Sequence, residues 1–420
     1  MSGLSKMVLK GAEKLRPVLV RCIPKSVLSK VKAGMINREA RSIAQIDIEG
    51  FDKDAFPFGV NLIGDIRVDT GLGQSMRYVS SILDAAGVPN LIYNYYVPPG
   101  MNMSDHSCDD KIQDKLKYSI NIFHINASEM AVAFMDLGKE FFDRHYNIGF
   151  WLWEMEDFPE EWMPAFNLID ELWVPSDFEN KIFKKYTEKP VYTVAYPVTA
   201  KADEQYDRKY FGLPEDRFLY MMMYDGGSGA PRKNPGKVIE SFKKAFKSDN
   251  REVGLVVKLK ANSDADIEYI KSLTEGYDNI YFIDKNMSRM EVNSLIKCVD
   301  VFVSLHRAEG FGLICAEAMV LGTPVIATAW SATTQFMNES CACMVDYRMV
   351  ELEKDYPPFK KGYRWAEADS DKAAAFMRRL FDDKEFYGII KSNAREYVHG
   401  NLSMEQSSTF VRDRLNVINQ

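Results

Sequence analysis

Short apolar runs alternate along the chain with longer stretches in which apolar residues recur every three or four positions. This pattern predicts an α/β protein, with strands in parallel sheets and helices on both faces. In the first half, strands are predicted at residues 60–63, 90–95, 119–124, 148–153, 171–174 and 191–194, and helices at 74–86, 128–137, 160–169 and 177–186. In the second half, strands are predicted at 217–224, 254–260, 281–283, 301–305 and 325–327, and helices at 236–247, 370–382, 384–398 and 404–418. Residues 346–365 are rich in Tyr and Pro and predict a loop.

The length of 420 residues predicts two domains, because a single hydrophobic core rarely serves so long a chain. We place a first α/β domain at residues 51–200 and a second at 201–400. The stretch 197–203 is predicted to be the hinge between them. Residues 401–420 are predicted to form a final helix.

The charge is unevenly distributed along the chain. Residues 1–45 contain ten Lys and Arg against two Glu, although the whole chain has a net charge of −7. Residues 1–50 are therefore interpreted as a basic amphipathic segment. Such a segment can lie on an anionic membrane surface or pack as an arm against its own or another subunit, and both interpretations stay open. The remaining chain is acidic, which argues against nucleic acid as a partner.

The sequence shows no apolar run long enough for a membrane span and no visible signal peptide. Its six cysteines show neither the spacing of metal ligands nor a disulfide pattern. These features predict reduced thiols and a cytoplasmic protein.

The most informative stretch is residues 299–327, VDVFVSLHRAEGFGLICAEAMVLGTPVIA. It predicts a buried strand, a loop with Gly310 and Gly312, and a helix before a second strand. Glycines at this junction let a ligand approach the backbone, and the free N–H groups of the helix start favour an anion such as phosphate. Glu309 precedes the helix and Glu317 lies inside it, and carboxylates accept hydrogen bonds from sugar hydroxyls. The alternative is that the two glutamates only complement the helix dipole or face solvent.

This stretch resembles the Glu–seven residues–Glu motif of retaining glycosyltransferases of the GT-B fold, in particular glycosyltransferase family 4 (glycosyl transferases group 1). The resemblance spans roughly residues 58–400. It implies two Rossmann-like domains that face each other across a cleft, with the last helix returning to the first domain. It also implies that Glu317 holds the ribose and Glu309 the donor sugar. The remaining donor contacts that it implies in this stretch are Gly310, Phe311, Gly312 and Leu313.

The loop at 225–235, DGGSGAPRKNP, is rich in glycine and carries two cations just before a predicted helix. Such a loop can clamp a diphosphate or can be a solvated basic turn. The resemblance implies the first role, with Lys233 as the main ligand and Arg232 beside it. Asp225 is a departure, because the family commonly has an arginine there. Lys258 is a further donor-binding candidate, since a cation on a buried strand needs an anionic partner.

Three features of the first domain are also candidates for chemistry. Gly71 and Gly73 follow a strand and precede a helix, so they predict a phosphate or acceptor contact, with a tight turn as the alternative. His124 closes an apolar strand, where ligands meet an open α/β sheet. A histidine there is more often structural, and the resemblance implies a place near the transferred sugar. The acidic run 151–162 is interpreted as a solvated loop, and its tryptophans Trp151 and Trp153 as core residues.

The resemblance implies an enzyme that moves a hexose from a nucleoside diphosphate sugar to a glycan or lipid-linked acceptor, in polysaccharide or glycoconjugate synthesis. It implies retention of configuration, no cofactor and no metal, with Glu309, His124 and Lys233 as catalytic candidates. A GT-B sugar-nucleotide epimerase or phosphorylase, or a non-catalytic glycan-binding partner subunit, stays as the alternative, because a fold does not fix a function. We expect a cytoplasmic protein, held at the inner face of the membrane if residues 1–45 bind lipid.

Overall fold

The computed structural model describes residues 43, 46–95, 103–225, 230–260 and 264–420. The predicted basic segment therefore lies almost wholly outside the described residues, and its two interpretations stay untested. The glycines of the loop at 226–229 also lie outside them.

The first half of the chain forms a six-stranded parallel sheet in the order β2-β1-β3-β4-β5-β6. Its central strands are buried along their length because helices cover both faces, as the continuous apolar runs predict. The strands are β1 (Val60–Gly64), β2 (Asn90–Asn94), β3 (Ile120–His124), β4 (Tyr146–Phe150), β5 (Glu171–Val174) and β6 (Val191–Thr193). The helices are α1 (Gly71–Ala85), α2 (Ala127–Leu137) and α3 (Asp177–Phe183).

The second half forms another six-stranded parallel sheet, in the order β12-β11-β10-β7-β8-β9. The strands are β7 (Phe218–Asp225), β8 (Val253–Lys260), β9 (Ile280–Asp284), β10 (Val301–Ser304), β11 (Val325–Thr328) and β12 (Cys343–Val345). The helices are α4 (Ala230–Lys233), α5 (Pro235–Ala245), α6 (Asp264–Thr274), α7 (Arg289–Cys298) and α8 (Leu313–Val320).

The predicted loop at 346–365 is wrong, because this region contains an antiparallel hairpin of β13 (Tyr347–Glu351) and β14 (Arg364–Ala368). The sequence hides β13 because its residues are exposed or half-buried and form no apolar run. Pairing with the more buried β14 supplies the hydrogen bonds that β13 could not find alone.

Three helices complete the chain: α9 (Ser370–Asp382), α10 (Lys384–Asn401) and α11 (Met404–Ile418). The last helix returns to the first sheet and packs against α1, as predicted. Arg414 Nη2 of α11 lies 2.5 Å from the buried Glu171 Oε2 on β5. Ser407 Oγ donates a hydrogen bond of 2.8 Å to the Ala195 carbonyl.

Several predicted boundaries need correction. Helix α1 begins at Gly71 rather than at 74, because Thr70 caps it by accepting a hydrogen bond from Gly73 N. The helix predicted at 160–169 is a 3₁₀-helix, Glu160–Leu168, which contains Pro164. The predicted loop at 225–235 ends in the short helix α4. Helices α6 and α7 were not predicted at all.

Candidate active site

The loop between β10 and α8 places its backbone at the carboxyl edge of the second sheet. Gly312 caps α8 with a φ of +90°, a conformation that favours glycine. A Cβ at this position would also collide with Thr333 Cγ2. Helix α8 therefore starts where a side chain would not fit, and its first-turn N–H groups and positive dipole end can receive an anion. Leu313, the first residue of α8, supplies one of these N–H groups.

Glu309 lies in this loop, buried against two cations from α4. Lys233 Nζ contacts its Oε1, and Arg232 Nη1 lies 3.3 Å from its Oε2. Burial alone raises the pKa of Glu309, but Lys233 and Arg232 outweigh it and hold this pKa at about 2. Glu309 is therefore an anion at neutral pH, held by the two residues that the sequence predicts as phosphate ligands.

Arg232 also connects the two halves of the chain. Its Nη1 donates a hydrogen bond of 2.8 Å to the Ala308 carbonyl, and its Nη2 lies 3.6 Å from Glu154 Oε1. Glu154 belongs to the loop after β4 in the first domain. The interpretation of residues 151–162 as a solvated loop is therefore wrong at Glu154, which is half-buried in an ion pair. Trp151 and Trp153 are buried in the core, as predicted.

A second contact between the halves meets the same loop. Ser176 Oγ donates a hydrogen bond of 2.9 Å to the Gly310 carbonyl. Glu179, at the first turn of α3, accepts a hydrogen bond of 2.8 Å from Trp153 N. A Cβ on Gly310 would lie 2.5 Å from Glu179 Oε1, so a larger residue here would displace the Glu179 carboxyl group. Complete burial raises the pKa of Glu179 well above its usual value, which favours the neutral acid. The sequence does not predict Glu179 as a site residue, because nothing in the helical pattern around it indicates that its side chain is buried.

Glu317 is completely buried in α8, and its carboxylate contacts the guanidinium of Arg289, the first residue of α7. Arg289 also lies within electrostatic range of Tyr78 on α1 in the first domain. The complete burial of its side chain shows that Glu317 does not face solvent, which removes that alternative. Arg289 was missed in the sequence, where it reads only as a cation after a capping signal.

Phe311 connects this loop to His124. Its ring lies 4.7 Å from the ring of Tyr196, centroid to centroid, in an edge-on arrangement. The Tyr196 hydroxyl contacts Ser75 Oγ, which in turn lies 2.7 Å from His124 Nε2. Burial lowers the pKa of His124 to about 4, so the imidazole is neutral at pH 7. His124 therefore belongs to a buried network that ends at the loop, and its place near a sugar stays a prediction.

The remaining predicted ligands are Lys258, Gly71 and Gly73, and the contacts described for them are with residues outside the Glu309 cluster. Lys258 is buried on β8, and its ammonium donates a hydrogen bond of 3.0 Å to the Lys285 carbonyl. Gly73 packs so closely on the Val68 carbonyl that a Cβ would collide with it. The tight turn therefore explains Gly73 without a ligand, whereas Gly71 is exposed at the start of α1.

The described residues offer neither a metal-binding group nor a helix that could cross a membrane. No group of three or more His, Cys, Asp and Glu among them is arranged to hold a metal ion. No helix in this part of the chain combines the length and apolar character that a membrane crossing requires.

Comparison with known proteins relates this geometry to a family. Residues 205–339, which contain the Lys233 and Glu309 segments, match the family model described as "Glycosyl transferases group 1". No curated protein matches the sequence.

Solved structures resemble the chain over both sheets. HepE from Anabaena in complex with UDP-glucose has a TM-score of 0.63 and 11% identity, covering 86% of this chain and 99% of that one. Sucrose-phosphate synthase from Thermosynechococcus elongatus has a TM-score of 0.62 and 13% identity, with the same coverage of 86% and 99%. A glycosyltransferase from Rickettsia africae has a TM-score of 0.61 and 12% identity, covering 86% and 98%. The fold is GT-B, as predicted.

Proposed function

From the GT-B fold and the group 1 match of residues 205–339, we propose that this protein is a retaining hexosyltransferase of the family 4 type. It moves a sugar from a nucleoside diphosphate donor to a glycan or lipid-linked acceptor. One observation carries the proposal: the anionic Glu309 is held by Lys233 and Arg232 beside the start of α8, and Glu317 lies inside the same helix. Anion ligands and hydroxyl ligands are thus assembled within one short segment.

The donor diphosphate takes the start of α8 and the ammonium of Lys233. Backbone N–H groups at a helix start and a nearby cation are the partners that phosphate oxygens prefer. Negative charge grows on this group as the glycosidic bond to C1 breaks, and a fixed cation stabilises the growing charge. Lys233 is therefore the residue that acts on the leaving group, with Arg232 beside it.

Glu317 accepts hydrogen bonds from the ribose hydroxyls, and Glu309 accepts hydrogen bonds from hydroxyls of the donor sugar. Because Arg289 covers Glu317, the nucleotide displaces Arg289 when it binds. Glu309 likewise exchanges part of its contact with Lys233 for the incoming ligand. Before a donor binds, cations of the protein thus occupy the carboxylates of Glu309 and Glu317, and the donor replaces these ion pairs.

The transfer step needs a proton acceptor. The acceptor oxygen forms a bond to C1, the bond from C1 to the phosphate oxygen breaks, and the acceptor proton moves to that phosphate oxygen. His124 is buried and neutral, and we assign it a positioning role near the sugar through Ser75 and Tyr196. The two cations of α4 supply the positive charge at the diphosphate, so activity is expected to survive a chelator.

We propose that the enzyme extends its acceptor in polysaccharide or glycoconjugate synthesis. We also propose that it works at the cytoplasmic face of a membrane. This part of the proposal rests on the ten cations among residues 1–45. Each cation near an anionic leaflet contributes about 1 kcal/mol, so partial engagement is enough to hold a peripheral protein.

Thermal unfolding in the presence of nucleoside diphosphates and their sugars tests the proposal, because a ligand of the native state raises the melting temperature. We expect at least one nucleoside diphosphate and its sugar derivative to raise the melting temperature. We also expect the sugar of that donor to be transferred to an added glycan or lipid-linked acceptor. Stabilisation by no member of the set contradicts the proposal. Conversion of the donor without any acceptor supports an epimerase instead.

A further inference from the structure

The hairpin that the sequence failed to predict closes a cavity beside the Glu309 cluster. The cavity has a volume of about 210 Å³. Its walls come from the hairpin on one side and from α4 on the other, and the lining residues are Pro231, Arg232, Tyr356, Pro357, Phe359 and Trp365.

Aromatic rings form most of the cavity wall. The rings of Tyr356 and Trp365 lie 5.4 Å apart, centroid to centroid, at an angle of 34°. The guanidinium of Arg307 lies 5.0 Å from the Trp365 ring centroid and supports it. Phe359 packs on Trp153 of the first domain at 5.5 Å. The rings are therefore fixed by neighbours from both halves of the chain, and the wall does not depend on one mobile side chain.

Ion pairs attach the hairpin to the acidic loop of the first domain. Lys360 Nζ lies 2.6 Å from Glu161 Oε2, and Arg364 Nη2 lies 3.5 Å from Glu156 Oε2. The carboxylates remain partly exposed, so they can also accept hydrogen bonds from hydroxyl groups. The cavity thus has an apolar wall and carboxylates in the loop that its hairpin contacts.

The position of Arg232 relates the cavity to the reaction. Arg232 lines the cavity and contacts Glu309, which holds the donor sugar in the proposed function. A ring in the cavity therefore shares Arg232 with Glu309, the proposed ligand of the donor sugar. We propose that this cavity binds one pyranose ring of the acceptor glycan, an inference that rests on the proposed function.

Size and chemistry favour a sugar ring over the other occupants. A cavity of about 210 Å³ is smaller than the roughly 300–1,000 Å³ of pockets for drug-sized ligands, which favours a small ligand such as one monosaccharide ring. A pyranose has apolar C–H faces for the aromatic walls and hydroxyls at its edge for Arg232, the charged residue of the lining. An acyl chain would bring no polar group to Arg232, although the Arg232 charge itself is already paired with Glu309 and Glu154.

Saturation-transfer NMR on the full chain with UDP present tests the inference. The probes are the methyl glycosides of glucose, galactose, mannose and N-acetylglucosamine. Selective saturation of aromatic protons is expected to reach the ring C–H protons of at least one probe. In Tyr356→Ala the affinity for that probe is expected to fall about fivefold, the effect of losing one aromatic contact. Tyr269→Ala is the matched control, because Tyr269 is 54% exposed on α6 and lies outside the cavity.

Binding of UDP, measured by calorimetry in the same samples, separates this inference from the proposed function. UDP affinity is expected to be equal in wild type, Tyr356→Ala and Tyr269→Ala. If UDP binds but no probe receives saturation, or if Tyr356→Ala retains full transfer, the cavity is not a sugar site and the proposed function stands. If Tyr356→Ala weakens UDP instead, the cavity belongs to the nucleotide and the inference is wrong. If the wild type binds neither UDP nor any other nucleoside diphosphate, the proposed function itself is contradicted.

Discussion

The substitution Glu309→Gln separates two tasks that the site assigns to one carboxylate. In the absence of a donor, Glu309 neutralises Lys233 and Arg232. With a donor bound, it accepts sugar hydroxyls while the diphosphate takes the cations. The amide keeps the shape of the side chain and removes the charge. UDP is therefore expected to bind more tightly to the variant, whereas the glucose unit of UDP-glucose loses its ligand.

The structure sets the magnitude of the gain. The pKa of Glu309 is about 2 instead of the usual 4.5, a difference worth about 3 kcal/mol at roughly 1.4 kcal/mol per pKa unit. This difference combines the cost of burial with the attraction of the neighbouring cations, and we take it as an upper limit for what UDP recovers when the competing carboxylate is gone. Because part of the contact survives donor binding, we expect a gain on the order of tenfold in UDP affinity. Loss of hydrogen bonds to a charged group should cost UDP-glucose about 1.5–3 kcal/mol relative to UDP.

Calorimetric titration of both ligands at pH 7 measures the two effects. The ratio of UDP-glucose affinity to UDP affinity should fall at least tenfold in Glu309→Gln, and sugar transfer should fall with it. Glu275→Gln, an exposed carboxylate at the end of α6, is the control and should leave both affinities unchanged. If UDP binds the variant no more tightly than the wild type, Glu309 does not compete for the cations and the reasoning is refuted.

Four further outcomes are expected. Lys233→Ala should weaken UDP far more than uridine, whereas the exposed Lys271→Ala should change neither; equal losses in calorimetry would exclude a phosphate role. Glu317→Ala should abolish transfer with a native circular dichroism spectrum, and wild-type rates would remove it from the site. Because the pKa of Glu309 is lowered in the folded protein, its ion pairs stabilise the protein above pH 4.5 and lose this effect as the pH falls towards 2. The difference in the free energy of unfolding between wild type and Glu309→Gln, measured by denaturant unfolding, should therefore shrink over that range. Removal of residues 1–45 should abolish salt-sensitive sedimentation with anionic vesicles and spare donor hydrolysis, and unchanged sedimentation would contradict the membrane role.

The loop and helix at 306–322 could be predicted closely because their signals are local. Gly312 is required where the chain turns into α8, and Gly322 and Pro324 mark its end. The parallel strands β1 to β11 were predicted for the same reason, since most of them are apolar runs, whereas the short edge strand β12 was not predicted. The resemblance in motif singled out Glu309, Arg232 and Lys233, and the structure brings the three together in ion pairs. Their roles in ligand binding stay predictions.

The residues that the sequence did not reveal act across long separations. Glu154 contacts Arg232 only because the two halves of the chain face each other, and Arg289 contacts Glu317 because α7 packs against α8. No periodicity in the sequence encodes either contact. Glu179 looks like an ordinary acidic residue in the first turn of a helix, yet it is buried against Gly310. The hairpin was missed because its first strand lacks an apolar face. Tertiary packing, rather than local propensity, determined all four outcomes.

A crystal structure with UDP-glucose bound tests the central claim most directly. The claim predicts the diphosphate on Lys233 and on the first N–H groups of α8, and the glucose hydroxyls on Glu309. It also predicts the ribose on Glu317, with Arg289 moved away from that carboxylate. A nucleotide bound elsewhere, or one bound while Arg289 still contacts Glu317, would contradict the claim.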